Sequence, residues 1–316
     1  MNIIKFRKVY FTISSILVVV SLFGLFSWGL PLGIDFTGGS LMEVEYTMER
    51  PQVKEVQEKI SDLDLGDVFI QPIGEKGVIL RFKSVNEEAH QEILAKLRTK
   101  SLDMLAPTGE DGEYIGAPVN NPENKVIEKR FNSIGPVIGQ ELKQKTIYAI
   151  FIALLIIVSF IAWAFRKVSK PVASWKYGII AIIALFHDIL IVVGVFVFLG
   201  RFMNVELNAP FVAALLTILG YSVNDTIVIF DRVRENLKHY TPHFSETVNK
   251  SVNQNLVRSV YTSLTTLFVL STLFFFGGES IKYFVLALII GIISGTYSSI
   301  FLASPMLVTL ERFRKN

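Results

Sequence analysis

The sequence predicts a multi-pass α-helical membrane protein with six transmembrane helices and one α+β, ferredoxin-like extracytoplasmic domain between helices 1 and 2. The composition is the first observation behind this prediction: 51% of the 316 residues are hydrophobic, and the mean hydropathy is +0.47. The second is that several apolar segments reach the length of about 20 residues that a helix needs to cross a bilayer. The third is a single long polar segment after the first of them. The predicted spans are 9–28, 146–165, 177–199, 209–230, 257–276 and 282–308.

The distribution of basic residues predicts the orientation in the membrane. These residues cluster before helix 1 and after helices 2, 4 and 6, whereas the short loops after helices 3 and 5 carry only Arg201 and Lys282. By the positive-inside rule, we expect both termini in the cytoplasm and the polar segment outside. The predicted domains are an N-terminal cytoplasmic stub with helix 1 (1–30), the extracytoplasmic domain (31–143), helices 2 to 6 (144–310) and a cytoplasmic tail (311–316).

The polar segment has the β-α-β-β-α-β pattern of a ferredoxin-like domain. Its predicted strands are 40–47, 67–73, 77–83 and 125–135, with one helix beginning near Pro51 and a second helix capped by Asn86. Residues 106–124 are rich in Pro, Gly, Asp and Asn, which predicts a loop. His90 is expected to be a solvated helix residue and not a ligand. The segment GIDFTGGS (33–40) lacks a second nearby carboxylate and a P-loop lysine, so we interpret it as a structural junction.

Asp225 is the residue that most clearly indicates function, because it lies inside an apolar span. A charged side chain at that depth costs about 2.5–3.5 kcal/mol on insertion scales. The i, i+3, i+4 spacing places Tyr221, Ser222, Asp225 and Ile229 on one helical face. Two interpretations remain open: a titrating group that moves protons, or a buried structural ion pair.

Helix 5 supplies the predicted cation and a predicted polar seam. Arg258 is either the partner of Asp225 or a snorkelling residue at the membrane surface. Thr262 and Thr265 continue from Arg258 at helical spacing, and the seam is expected to face Asp225, with Asn224 on or beside it. Threonine hydroxyls are also able to bond to their own helix, which would leave no seam.

Helix 3 carries a second ionisable pair, His187 and Asp188, near its middle. Adjacent residues point about 100° apart, so one alternative is that they face different neighbours. The other alternative is mutual hydrogen bonding in a packed bundle. In helix 6, Gly291, Gly295 and Ser299 repeat every four residues and predict close helix packing.

Several function classes are disfavoured by what the chain contains. It has no cysteine, which excludes thiol catalysis and cysteine-ligated metals. We predict no enzymatic activity, no catalytic constellation, no metal site, no cofactor and no nucleic-acid partner. An intramembrane aspartyl protease using Asp188 and Asp225 is disfavoured because the GxGD motif of such enzymes is missing.

Five motifs in the same order along the chain resemble the SecF family, the smaller membrane subunits of SecD–SecF protein-export complexes. They are GIDFTGGS (33–40), LFHD (185–188), GYSVNDTIVIFDRVREN (220–236), SVNQNLVRSVYTSLTTL (251–267) and GTYSSIFLASP (295–305). The family usually has Arg-Thr where this chain has Arg258-Ser259, a mild departure. The resemblance covers essentially the whole chain.

The resemblance implies a multi-pass protein of a prokaryotic cell membrane, related to proton-driven RND-type transporters. It implies SecD as the partner, action beside the SecYEG channel, and use of the proton-motive force to help unfolded preproteins emerge on the extracytoplasmic side. Asp225 matches the family's proton-relay aspartate and Arg258 its nearby arginine; the role of Asp188 is less defined. The alternative is a scaffold that stabilises the translocase without coupling.

Overall fold

The computed structural model describes residues 2–98, 125–164, 174–238 and 243–312. It divides into two compact units: Met1–Leu32 with Gln144–Asn316, and Gly33–Lys143. The predicted loop at 106–124 lies outside the described residues, as do the basic residues 166–170 after helix 2 and 314–315 at the C-terminus.

The helices and strands follow the predicted order. After a 3-10 turn (Ile4–Phe6), they are α1 (Arg7–Trp28), α2 (Ile34–Thr37), β1 (Gly39–Tyr46), α3 (Val53–Lys59), β2 (Phe69–Ile73), β3 (Gly77–Phe82), α4 (Glu87–Arg98), β4 (Val126–Ile134), α5 (Pro136–Ala164), α6 (Ser174–Met203), α7 (Ala209–Asn236), α8 (Phe244–Phe276), α9 (Glu279–Tyr297), a π-helical segment (Ser298–Ala303) and α10 (Ser304–Arg312).

In the residues that the structure describes, six helical segments are long and apolar enough to span a membrane, which confirms the predicted fold class. The structure makes several of them longer than predicted, because polar residues continue a helix beyond the apolar core that hydropathy detects. Span two begins at Pro136 and span five at Phe244. Span six, Ile281–Glu311, combines α9, the π-helical segment and α10.

The unit Gly33–Lys143 has the predicted ferredoxin-like topology. Of this unit the structure describes four strands, which form an antiparallel sheet in the order β2-β3-β1-β4. Alternate residues of β1 are buried with α3 and α4, including Met42, Val44 and Tyr46. The Asn86 side-chain oxygen accepts a hydrogen bond from the Ala89 backbone N–H at 3.0 Å, as predicted for the helix cap.

The prediction that His90 is solvated is wrong. Its side chain is buried, with Nδ1 3.1 Å from Glu87 Oε1 and Nε2 3.2 Å from Glu128 Oε2. The ring stacks on Phe131 with centroids 3.8 Å apart. Glu128 and Phe131 lie on β4, so the environment of His90 comes from a strand about 40 residues later and was invisible to helical spacing.

The segment GIDFTGGS forms the predicted structural junction. Its first residues make the one-turn helix α2, which the sequence did not predict, and Gly38 and Gly39 then lead into β1 with φ of +75° and +120°. A Cβ on Gly38 would lie 2.8 Å from Pro136 Cα, and one on Gly39 would lie 2.9 Å from the Phe82 carbonyl oxygen. Both positions therefore require glycine for conformation and for space.

Small residues set the packing of span six on α7, as predicted from their spacing. A Cβ on Gly291 would meet Ile218 at 2.3 Å, and one on Gly295 would meet Ser222 at 2.9 Å. One turn further, the Ser299 hydroxyl lies 2.9 Å from the Thr226 hydroxyl. Three successive turns of the two helices are therefore in register, and α7 is fixed closely against α9 and the π-helical segment.

Acid should loosen the extracytoplasmic unit. A hydrogen bond from Lys129 lowers the pKa of Glu45, one from Lys96 lowers the pKa of Asp62, and bonds from Gln91 and His90 lower the pKa of Glu87. A carboxylate with a lowered folded-state pKa contributes stability above its unfolded pKa and loses it as pH falls through the folded one. We therefore expect protection of β1 amides from hydrogen exchange, corrected for intrinsic rates, to decline as pH falls below 4.5, the ordinary value for Glu.

Lys129→Gln is the matched control for this acid effect, because it removes the first cause of the Glu45 shift. It should flatten the decline in protection. Equal protection above and below pH 4.5 in the native chain would contradict the expectation.

Candidate functional site

The polar face of α7 faces the interior of the membrane unit. Ser222, Asp225 and Ile229 are buried and Tyr221 is half-buried, which is the face that the sequence predicts. Asp225 is 6% exposed. Burial to this degree removes most of the water that would solvate the carboxylate.

Asp225 has few partners for a buried carboxylate. Its side-chain hydrogen bond is to Ser259 of α8, and Arg258 is the cation whose charge acts on it. Among the described residues, Arg258 makes no ion pair with it within 4.0 Å. The second oxygen, Oδ2, is buried without a hydrogen-bond partner in the same part of the chain. The arrangement is therefore a carboxylate with one filled and one unfilled acceptor, near a cation but not paired to it.

The prediction that the threonine seam of α8 faces Asp225 is wrong. Thr262 and Thr265 lie on an exposed side of the helix, and their hydroxyls donate to their own helix, to the carbonyls of Arg258 and Thr262, each at 2.9 Å. Threonine is tolerated there because the carbonyl one turn back satisfies its hydroxyl and its methyl suits an apolar surrounding.

Serines form the buried polar stripe of α8 instead. Asn255, Ser259 and Ser263 lie at four-residue spacing on the buried face, and Ser263 is 2.5 Å from the Thr296 hydroxyl of α9. Small side chains let α8 approach α7 and α9 closely. The four-residue serine spacing was the signal in the sequence, and the neighbouring threonines obscured it.

Asn224 and Arg258 also lie on exposed surfaces of the described structure. Asn224 therefore points away from the bundle, although it is next to Asp225 in sequence. The structure brings Asp225 together with Ser259 and leaves Asn224, Thr262 and Thr265 on the outer surface.

Asp188 is a buried carboxylate of α6 with several hydrogen-bond partners. It is 1% exposed. Its Oδ1 lies 3.0 Å from His187 Nδ1 and accepts a hydrogen bond from Ser294 at 2.8 Å; its Oδ2 accepts from Ser222 at 2.6 Å and from Ser298 at 2.8 Å. A carboxylate has about four lone-pair positions, so all of them are occupied.

His187 and Asp188 therefore follow the alternative of mutual hydrogen bonding in a packed bundle. His187 is also buried, beside the Tyr297 ring at a centroid distance of 6.2 Å, and its Nε2 has no hydrogen-bond partner among the described residues. The sequence missed Ser294 and Ser298 as partners, although their four-residue spacing places both on one face of span six.

The membrane unit offers no evident metal centre. In the described ranges, no group of three or more His, Cys, Asp or Glu side chains converges. Asp188 and Asp225, two of its buried carboxylates, lie beside serine hydroxyls, an arrangement able to hold a proton.

Comparisons with known proteins settle the family. The model of "Protein export membrane protein SecD/SecF, C-terminal" matches residues 116–313, and that of the "SecD/SecF GG Motif" matches residues 23–49, which include GIDFTGGS. The Protein translocase subunit SecF of Thermobaculum terrenum is 41% identical over 98% of this chain and 94% of its own length. The chain belongs to the SecF family. The SecF of Sebaldella termitidis is 36% identical over 100% of this chain and 93% of its own.

Solved structures of SecDF share the fold. The crystal structure of SecDF from Thermus thermophilus is 29% identical, with a TM-score of 0.77 over 99% of this chain, and the super-membrane-facing form of SecDF gives 0.65 over 100%. This chain spans 39% of either SecDF chain. The SecF-family chain is thus a multi-pass protein of a prokaryotic cell membrane with a role in protein export, and its relatives are named as translocase subunits and not as enzymes.

Proposed function

We propose that the chain, together with SecD, uses the proton-motive force to help unfolded preproteins leave the SecYEG channel on the extracytoplasmic side, with both termini in the cytoplasm. Asp225 takes up and releases the protons, and Arg258 modulates its charge. The observation that carries the proposal is the buried Oδ2 of Asp225, which has no hydrogen-bond partner among the described residues. Ser259 of α8 is the hydroxyl that acts on the same carboxylate.

This geometry favours a relay over a structural ion pair. A buried ion pair is stable only when the two charges are in close contact and their remaining lone pairs and protons are satisfied. Asp225 has neither feature, since Arg258 is beyond 4.0 Å and Oδ2 is unfilled. A proton added to Oδ2 removes the charge of an incompletely solvated group without breaking the bond to Ser259. Asp188 shows the contrast, because all its acceptor positions are filled.

The energy of one proton is sufficient to drive a conformational change. One elementary charge that crosses a potential of ~100 mV releases about 2.3 kcal/mol. That free energy shifts a two-state equilibrium by roughly fiftyfold. Protonation of Asp225 is proposed to alter the packing of α7, α8 and span six, and the extracytoplasmic domain to respond to it.

The outer surface of α7 and α8 is where we place SecD. In spans one, two and five, 17%, 6% and 17% of the most apolar stretch is buried, against 56%, 50% and 61% in spans three, four and six. Asn224, Arg258 and Thr262 are exposed on these faces. Polar groups within a membrane face protein or water in preference to lipid. A second bundle packed there would cover them and enclose the region of Asp225.

The alternative is a scaffold in which Asp225 and Arg258 only stabilise each other, and exchanging the two charges separates the proposals. Asp225→Arg with Arg258→Asp keeps both charges but moves the carboxylate from a buried to an exposed position. We expect the double variant to lose gradient-stimulated preprotein translocation in membrane vesicles at matched abundance. Arg258→Lys, which retains the cation, is the control. Gradient stimulation at the native level in the exchanged variant would favour the scaffold.

A further inference from the structure

We infer that Asp188 is a positioning residue, which fixes the rotation of α7 about its axis and so directs Asp225 toward Ser259. The inference deepens the proposed function and rests on it, because it concerns how the proposed relay carboxylate is oriented. Asp188 belongs to α6 and is not itself the proton carrier in this account.

The first step is the link from α6 to α7. Ser222 donates its hydroxyl to Asp188 Oδ2 at 2.6 Å, a bond between residues 34 positions apart. Both groups are buried, at 1% exposure each. A hydrogen bond to a charged group is stronger than one between neutral groups, so this contact resists rotation of α7.

The second step connects that bond to Asp225. Ser222 and Asp225 are three residues apart and share one face of α7. Gly295 of α9 lies directly against Ser222, since an added Cβ there would be 2.9 Å from Ser222 Cβ. Rotation that breaks the Ser222 bond must therefore also move Asp225 relative to Ser259 on α8.

The third step is the π-helical segment of span six. Ser298 donates to Asp188 Oδ2 at 2.8 Å, and the next residue, Ser299, lies 2.9 Å from Thr226 on α7. The wider π turn lets two successive serines reach these two partners, and such segments occur frequently at functional sites. The turn of α7 that carries Asp225 is thus held at Ser222 and at Thr226.

The ionisable groups around this turn come from several helices. Among the described residues, α6 contributes His187 and Asp188, α8 contributes Arg258 and α9 contributes Tyr297, while Glu311 lies near the end of α10. Of these, Asp188 has a direct hydrogen bond to α7. It is therefore the group through which packing of α6 and span six acts on the orientation of Asp225.

Ser222→Ala tests the inference without adding volume against Gly295. The measurement is gradient-driven translocation by the full chain with SecD in membrane vesicles, over a range of pH at a constant imposed gradient. We expect the gradient-driven component to fall about two- to tenfold, the worth of one hydrogen bond. The pH of half-maximal activity should move by about half a unit or more, because the surroundings of Asp225 change.

Two matched serine variants serve as controls. Ser294→Ala removes another donor to Asp188 but leaves the bond to α7, and Ser299→Ala removes a bond to α7 that does not involve Asp188. Ser294→Ala should keep the native pH profile, whereas Ser299→Ala, which releases the bond to Thr226 on the same turn of α7, should shift it less than Ser222→Ala does. An unchanged profile in Ser222→Ala would overturn the inference, and so would the same shift in all three variants, which would indicate general loosening of the bundle. Asp225→Asn in the same assay tests the proposed function separately. Retained gradient stimulation in Asp225→Asn would contradict the proposed function, whatever the result for Ser222→Ala.

Discussion

Asp188→Ala is expected to destabilise the membrane unit more than any other single side-chain truncation considered. It removes the acceptor of three buried serine hydroxyls and of His187 Nδ1. A buried donor left without its acceptor costs about 1–3 kcal/mol, and several donors lose their acceptor at once here. The measurement is the free energy of unfolding in detergent, monitored through the resistance of the spans to proteolysis.

Asp231→Ala is the control for that measurement. Asp231 is an exposed aspartate on α7, and its ion pair with Arg234 is a surface contact at 3.6 Å. Such pairs contribute about 0–1 kcal/mol. A native-like unfolding free energy for Asp188→Ala would show that the four hydrogen bonds do not stabilise the bundle, and the account of Asp188 would then fail.

Asp225→Asn should abolish the gradient-driven component of preprotein translocation and leave the gradient-independent component intact. Asparagine has nearly the same shape and keeps an oxygen for Ser259, but it cannot exchange a proton near neutral pH. Translocation in vesicles with and without an imposed proton gradient, at matched abundance, measures the two components. Asp231→Asn on the exposed end of the same helix should behave like the native chain.

The two buried aspartates show what the sequence could and could not predict. Hydropathy and helical spacing predicted that both lie in spans and that Asp225 is on the buried face of α7. They could not distinguish the two environments, because the donors to Asp188 come from Ser294 and Ser298, 106 and 110 positions away. Only the fold shows that Asp188 is fully hydrogen-bonded and Asp225 is not.

For the same reason, the sequence predicted the wrong face of α8 as the one that packs against its neighbours. Threonine and serine stripes run side by side along the helix, and periodicity alone does not say which of them faces a neighbour. The decision comes from close packing, which favours the smaller Ser259 and Ser263 against α7 and α9. In the unit Gly33–Lys143, the β-α-β-β-α-β order was sufficient to predict the sheet topology. It was not sufficient for His90, which is covered by Glu128 and Phe131 of β4.

Proton movement during translocation is the most direct test of the central claim that Asp225 couples export to the gradient. Vesicles containing the chain with SecD and the channel would carry a pH-sensitive dye inside, and proton entry would be followed as a preprotein emerges. The account predicts preprotein-dependent proton flux in the native chain and in Asp231→Asn, and none above background in Asp225→Asn. Equal preprotein-dependent flux in the native chain and in Asp225→Asn would contradict it.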